Sequence, residues 1–266
     1  MTKVDCVFCG TRGERAKEHV WPVWIQKVVE HGSALRVEIH LTISGDKKNQ
    51  RVLQNQALVL GSVCKSCNGG WMSKLEQDVA PTIKRLLAEP SPLGGYVKAA
   101  EATALATWAM KTAIVRNLGA NYRKIVPKQH YMDIFEGGLP DYVYVDLAID
   151  PRHRTLGAVQ SQTAAGLLGV GDEEAFRAAG ERLYNIVLGV GSLLFRVVYF
   201  PLRDYEIRTA LAHGRNALRL HPNPKDGQLS PACVVDGLHD LETATFFQRS
   251  EARSPLVSSA VNASFG

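Results

Sequence analysis

The sequence predicts an α+β protein in which a small N-terminal module precedes a larger second domain. Four of the five cysteines lie within the first 67 residues. A stretch rich in proline and glycine at 89–95 marks a linker, and a long alanine-rich helix followed by segments of strand character lies beyond it. We therefore expect domains at 1–89 and 96–250, with a small, polar and flexible tail at 251–266.

Residue periodicity predicts the elements of the first part. Residues 36–43 alternate as a half-buried strand does, and a second strand fits 52–60. A helix follows the second cysteine pair, because apolar side chains recur there at three- and four-residue intervals. They are Trp71, Leu75, Val79, Ile83 and Leu86. Pro81 lies inside this helix and is expected to kink or break it.

The second part reads as helices combined with antiparallel strands. Its longest helix is predicted at 98–118, where many small and apolar side chains suggest burial. Shorter helices are expected at 127–135 and 172–179, and strands at 142–149, 183–188 and 193–200. The last two strands are separated by Gly189-Val190-Gly191-Ser192, a sequence typical of a hairpin turn.

The composition is typical of a globular protein without a membrane span. Hydrophobic residues make up 45% and charged residues 21% of the chain, and no window approaches the run of about 20 apolar residues that a span requires. The first residues lack the apolar core of a secretion signal. We therefore expect a cytoplasmic protein that does not bind membranes.

The charge distribution is mildly basic. The net charge is +5, and residues 1–90 hold 13 Lys+Arg against 9 Asp+Glu, a net of +4. The excess therefore lies with the cysteines. This bias suits a polyanionic partner, but many proteins that never bind nucleic acid share it.

Two Cys-x-x-Cys pairs predict a structural zinc site. Zinc favours four thiolate or imidazole ligands in a tetrahedron, and each such turn supplies two of them, here Cys6 with Cys9 and Cys64 with Cys67. The alternative is two unrelated reactive or disulfide-forming pairs, which the reducing cytosol disfavours. Cys233 stands alone and is expected to be an inert buried thiol.

Four further residues complete a recognisable order. Glu18 and His19 lie between the cysteine pairs and are followed by Pro22, and Asn68 comes directly after the last cysteine, where the helix opens. This combination resembles the zinc-supported HNH endonucleases, whose module is of the treble-clef, ββα-metal class. The resemblance covers about the first third of the chain, and the combination is more specific than any of its parts.

The resemblance implies a role for Glu18, His19 and Asn68. His19 would be the general base that activates water, since an imidazole can be neutral near pH 7. Glu18 and Asn68 would hold a catalytic Mg²⁺ or Mn²⁺, which takes only one or two protein oxygen ligands and is separate from the zinc. The implied partner is nucleic acid, with double-stranded DNA as the expected form.

The sequence departs from the family pattern at two positions. The middle asparagine of the motif usually lies closer to the second cysteine pair, so Asn55 is assigned only by position as the residue that orients the His19 loop. The basic residue often found just inside the helix is replaced by Trp71. Glu76 lies about 12 Å along the helix from Asn68 and is expected to be a surface or structural carboxylate rather than a shared ligand.

Each of these residues also has a purely structural interpretation. His19 can cap a turn, and Asn68 can be a helix N-cap. The tryptophans at 21, 24 and 71 fit a hydrophobic core better than a base-stacking surface. Lys111 is either a lysine that extends to solvent or the partner of a buried carboxylate. The alternative function is accordingly a catalytically inactive, zinc-stabilised module that binds nucleic acid or protein.

Overall fold

A computed structural model of the chain describes residues 2–29, 35–41, 47–54, 59–88, 93–119, 124–162, 165–166, 182–202, 205–209 and 216–249. It contains helices and mainly antiparallel sheets, which confirms the predicted α+β class. The predicted helix at 172–179, the tail at 251–266 and the candidate residue Asn55 lie outside the described residues.

The bounds of the helices are α1 (Val23–Val29), α2 (Lys65–Cys67), α3 (Ser73–Ala88), α4 (Ala99–Gly119), α5 (Gln129–Phe135) and α6 (Leu238–Thr243). Helices α3, α4 and α5 lie in segments where the sequence predicts a helix, whereas α6 was not predicted. A wide π-helical turn, Asn68–Met72, joins α2 to α3, and a 3-10 turn spans Pro231–Cys233.

The strands are more numerous than the periodicity predicts. Their bounds in the first part are β1 (Lys3–Asp5), β2 (Arg12–Glu14), β3 (Glu18–His19), β4 (Leu35–Leu41), β5 (Lys47–Gln54) and β6 (Val59–Leu60). Those in the second part are β7 (Tyr96–Val97), β8 (Val143–Ile149), β9 (Leu156–Ser161), β10 (Ala165–Gly166), β11 (Tyr184–Val190), β12 (Leu193–Tyr199), β13 (Tyr205–Thr209), β14 (Leu218–His221), β15 (Gly227–Gln228) and β16 (Thr245–Arg249).

One seven-stranded sheet organises the second part and extends into the first. Its order is β14-β8-β12-β11-β9-β4-β5. The predicted hairpin between β11 and β12 is present, with Gly191 and Ser192 as its turn. All neighbours are antiparallel except β4 and β9, so the hairpin β4-β5 is added from the first part by a parallel pairing with β9.

Helix α4 is the central element of the core. It is buried over most of its length, including the large Trp108 and the polar Lys111 and Asn117. A helix buried on nearly all sides must be largely apolar, which explains its alanine-rich sequence. Neither α4 nor any other helix in the described ranges is long and apolar enough to cross a lipid bilayer.

Buried side chains from both sides of the linker belong to one hydrophobic cluster. Trp21 and Ile83 precede residues 89–95, whereas Trp108 and Phe195 follow them, and all four are members of the same cluster. The division into domains at 1–89 and 96–250 stays a prediction. The packing shows that the two parts share an interface of core residues.

Helix α3 continues through Pro81 to Ala88, so the expected break at this proline is wrong. Proline removes one backbone donor and frees the carbonyl of Gln77, but both residues lie on the exposed side, where water can take the place of the lost bond. The irregularity lies before the helix instead. Gly70 has φ −93° and ψ −110°, a non-helical conformation that glycine tolerates.

A buried charge cluster joins three neighbouring strands. Asp146 on β8 lies opposite Arg196 on β12 and Arg219 on β14, and both arginines donate hydrogen bonds to its carboxylate. Burial by itself raises the pKa of Asp146, but the two arginines more than offset this, so its pKa lies below the usual value. The cluster therefore favours this register of the three strands.

We expect Asp146→Asn to lower the free energy of unfolding by about 3–5 kcal/mol at pH 7, because the buried Arg196 loses this carboxylate. The pKa of Asp146 is lower in the folded than in the unfolded chain. Its contribution is therefore present above the unfolded pKa of about 3.9 and is lost as pH falls through the lower folded pKa.

Urea denaturation at pH 7 and at about pH 3 measures both effects. The difference between wild type and Asp146→Asn should be smaller at the lower pH. Asp78→Asn, at an exposed position on α3, is the matched control and should change stability by less than about 0.5 kcal/mol. An Asp146→Asn difference that does not depend on pH would contradict this account.

Candidate metal centre

The first cysteine pair lies in a tight turn between β1 and β2. Cys6 N donates to Thr11 O at 3.0 Å, and Gly10 N donates to Cys6 O at 2.9 Å. The strands on either side pair in antiparallel register. These bonds hold Cys6 and Cys9 on one short, rigid turn.

The second pair opens the helical segment after β6. Cys64 immediately precedes α2, and its Sγ accepts a hydrogen bond from Cys67 N at 3.4 Å, as an N-cap side chain does. Ala16 N donates to Val63 O at 2.9 Å and holds the two segments side by side. A Cβ on Gly13 would lie 2.9 Å from the Cβ of Cys64, so this close approach requires glycine.

The two turns bring four sulfur atoms together. The Sγ atoms of Cys6, Cys9, Cys64 and Cys67 all lie within 4.8 Å of one another, and those of Cys9 and Cys64 are 3.8 Å apart. In a zinc tetrahedron with bonds of about 2.3 Å, neighbouring sulfurs are about 3.8 Å apart. All five cysteines are free thiols, so the disulfide alternative is wrong. The four predicted cysteines thus form a site that can hold zinc.

The thiol pKa values differ across the cluster. Burial raises the pKa of Cys64 and of Cys67, so these thiols hold their protons firmly when no cation is near. Burial acts in the same direction on Cys9, but hydrogen bonds, first those with Thr11 and then those with Cys67 and Cys6, together outweigh it and lower the pKa of Cys9 to about 7. A cation that binds thiolates would displace the remaining protons and stabilise the cluster.

We expect about one zinc ion per chain, and its removal by a chelator should lower Tm by at least about 10 °C, because ligand binding and folding are coupled. Cys64→Ser should lose the metal. Cys233→Ser alters a buried cysteine outside the cluster and should retain it. Elemental analysis and thermal unfolding provide the measurements, and metal-free protein with reduced thiols would contradict the assignment.

The strands β3 and β6 bring the Glu-His dipeptide next to the cysteine cluster. Glu18 pairs with Leu60 and His19 pairs with Val59 in antiparallel register. The chain then continues from β6 for only a few residues to Cys64. Glu18 is buried and His19 is partly buried, so the position of both residues is fixed by the backbone of the module.

Asn68 contacts the segment that precedes this dipeptide. Its side-chain Nδ2 donates a long hydrogen bond of 3.4 Å to Lys17 O, the residue before Glu18. The N-cap interpretation of Asn68 is wrong, because Cys64 supplies the cap and Asn68 closes α2 at the other end. Its Oδ1 forms no hydrogen bond with another of the described residues.

Glu18 has a partner that the sequence did not identify. Lys111 Nζ, from the middle of α4, lies 3.2 Å from Oε1 of Glu18 and 2.8 Å from Oε1 of Glu76. The side chain of Lys111 is 0% exposed, which confirms that it pairs with a buried carboxylate rather than extending to solvent. Glu76 is a structural carboxylate, as expected.

In this ion cluster two carboxylates, those of Glu18 and Glu76, share the buried ammonium group of Lys111. Burial raises the pKa of Glu18, although Lys111 opposes the effect. Burial alone would lower the pKa of Lys111, but the carboxylates of Glu18 and Glu76 outweigh it and the net pKa is raised. Lys111 therefore stays protonated, and it occupies one of the two oxygens of Glu18.

The three tryptophans of the first part are core residues, as expected. Trp21 is fully buried, and Trp24 and Trp71 are partly buried against the same core, which confirms their interpretation as core residues. The roles assigned to His19, Glu18, Asn68 and Asn55 in catalysis stay predictions. In the described part of the chain, the four cysteines are the one group of three or more His, Cys, Asp or Glu ligands close enough to share a metal ion.

Comparison of the chain with protein-family models, with curated proteins and with solved structures found no match.

We expect Lys111→Met to lower the free energy of unfolding by about 3–5 kcal/mol, because two carboxylates are left beside a buried apolar side chain. The double variant Lys111→Met/Glu18→Gln should recover part of this loss, since one of those charges is then absent. Lys74→Met, at an exposed position on α3, is the control and should change stability by less than about 0.5 kcal/mol. Equal losses in Lys111→Met and Lys74→Met, measured by urea denaturation, would contradict the ion cluster.

Proposed function

We propose that this protein is a cytoplasmic, metal-dependent endonuclease of the HNH type that hydrolyses phosphodiester bonds in DNA. In this proposal His19 is the general base, and Glu18 and Asn68 hold a divalent cation. The observation that carries it is the hydrogen bond from Asn68 to Lys17 O, which joins the start of the helical segment to the residue before Glu18.

The order of the elements supports the same proposal. Strand β3, its pairing partner β6 and the helical segment from Lys65 onward occur in the order strand, strand, helix, the order that gives the ββα-metal class its name, with α1, β4 and β5 inserted between the two strands. The four-cysteine cluster holds the start of the helix beside β2. A rigid frame of this kind is what a catalytic constellation needs to keep its geometry.

The proposed chemistry divides between the side chains and the cation. The His19 imidazole accepts a proton from the attacking water, a task suited to a group that can be neutral near pH 7. A bound Mg²⁺ or Mn²⁺ would supply charge neutralisation at the phosphate and at the leaving oxygen. Oδ1 of Asn68 and the second carboxylate oxygen of Glu18 are the atoms that would hold it. Asn55 keeps its proposed role of orienting the His19 loop.

Exposed basic residues near the frame favour a polyanionic substrate. Arg12 on β2, Arg15 next to it and Lys17 are all exposed. Arg15 forms a backbone bridge with Cys64, so it lies beside the cluster. Such side chains bind the phosphate groups of a nucleic acid whatever its base sequence, and this binding weakens as the salt concentration increases.

One observation favours the second candidate function, a zinc-stabilised module that binds nucleic acid or protein without catalysis. Glu18 is buried and its Oε1 contacts Lys111, an arrangement that a purely structural carboxylate would also show. The same frame and the same basic side chains could then serve binding alone. The two functions differ in whether a bond is broken.

We expect the protein to nick supercoiled plasmid DNA in the presence of Mg²⁺ or Mn²⁺, and His19→Ala to reduce the rate by about 10²–10⁴-fold, as loss of a general base does. His239→Ala alters an exposed histidine on α6 and is the matched control with an unchanged rate. If Asn68 is a ligand, Asn68→Ser should also reduce the rate sharply while zinc content and Tm stay at the wild-type values.

Gel electrophoresis of the plasmid forms is the readout. Nicking that survives His19→Ala would overturn the catalytic assignment. Absence of nicking with every cation tried, together with salt-dependent binding of DNA, would favour the non-catalytic module instead.

A further inference from the structure

A cavity of about 700 Å³ opens in the second part of the chain, between α5, the segment 136–142 and the end of β12. Its size falls within the range of small-molecule sites, about 300–1,000 Å³. None of the residues proposed for nuclease activity lines it. The cavity is therefore a different site from the proposed nuclease site.

The wall of this cavity is negatively charged. Asp133, Glu136 and Asp141 line it, and the lining contains neither lysine nor arginine. No lysine or arginine in the described ranges forms an ion pair with these three carboxylates. His130 also lines the cavity, but burial lowers its pKa to about 4, so its ring adds no positive charge at neutral pH.

Aromatic rings form the other part of the wall, and their positions are fixed. Tyr199 meets the ring of His130 edge to face at 4.6 Å and stacks on Tyr184 at 5.5 Å. The Nδ1 atom of His130 lies 3.0 Å from the hydroxyl oxygen of Tyr184. Tyr142 completes the lining with φ +60°, a conformation that is strained for a bulky residue and that often occurs at ligand sites.

We propose that this cavity binds a small organic cation, an amine or quaternary ammonium compound with an apolar body. The carboxylates supply the opposite charge, and the tyrosine rings that line the cavity supply the aromatic surface on which cation–π attraction depends. A metal ion fits less well, because the three carboxylates do not form a group close enough for all of them to ligate one ion. An anion or a phosphate backbone would be repelled.

The preference for a cation arises from the cavity wall and not from the net charge of the protein. The whole chain carries a net charge of +5, so an organic cation has no general attraction to the protein. Arg182 acts electrostatically on Tyr199 but does not line the cavity. Binding of a cation here must therefore come from the local wall.

The test uses two pairs of probes that differ in charge at nearly constant shape, which are choline with 3,3-dimethylbutan-1-ol and benzylamine with benzyl alcohol. Titration calorimetry of the full chain at low ionic strength should show that at least one cation binds about tenfold more tightly than its neutral counterpart. The double variant Asp133→Asn/Glu136→Gln and the single variant Tyr199→Leu should each weaken that binding by about tenfold.

Asp78→Asn removes an exposed carboxylate outside the cavity and is the matched control with unchanged affinity. Circular dichroism and Tm identify any variant that fails to fold, and Tyr199→Phe, which keeps the aromatic face, should retain binding if Tyr199→Leu unfolds. Equal affinity for cation and neutral probe, no binding of either cation up to about 10 mM, or equal weakening by Asp78→Asn would overturn the proposal. Loss of nicking activity has no bearing on this result.

Discussion

The ammonium group of Lys111 sets an electrostatic constraint that ties the two parts of this fold together. A fully buried charge is tolerated only where opposite charges lie close to it, and here Glu18 and Glu76 meet it from two other elements. The cluster therefore links β3, α3 and α4, with α4 lying beyond the linker. The buried carboxylate next to His19 is held in place by a residue from the second part of the chain.

The four-cysteine cluster adds a second constraint, which acts locally. Two tight turns and the backbone bond from Ala16 to Val63 bring the cysteines together, although the pairs are 55 positions apart along the chain. The intervening residues include β4 and β5, which leave the module and extend the large sheet through β9. The long gap between the pairs thus holds two strands of the large sheet, while the pairing of β3 with β6 keeps the chain on either side of this insertion together.

The surfaces of the two parts differ in charge. Exposed arginine and lysine residues lie beside the cysteine frame, whereas three carboxylates line the cavity between α5 and β12. A polyanion favours the first surface and is repelled by the second, and an organic cation has the opposite preference. The proposed nuclease site and the proposed cation site are therefore chemically independent and can be examined separately.

The sequence by itself determined the parts that depend on local chemistry. Each Cys-x-x-Cys pair is a turn of four residues, so its zinc-binding geometry is encoded in adjacent positions, and the periodicities of α3, α4 and the β11-β12 hairpin are local in the same sense. The sequence did not determine that α3 continues through Pro81. That outcome depends on whether water can reach Gln77 O, and therefore on which side of α3 faces the solvent. The sequence also did not show that Asn68 donates to Lys17 O instead of capping a helix.

Only the tertiary structure decided the partner of Glu18 and the position of the cavity. Lys111 is 93 positions from Glu18, and their contact exists because α4 packs against the module, a consequence of burying apolar surface along the whole helix. The cavity likewise forms where α5, a loop and the end of a strand meet. Local sequence patterns identify the candidate metal-binding and catalytic residues, and the packing of distant segments determines which of those residues come together.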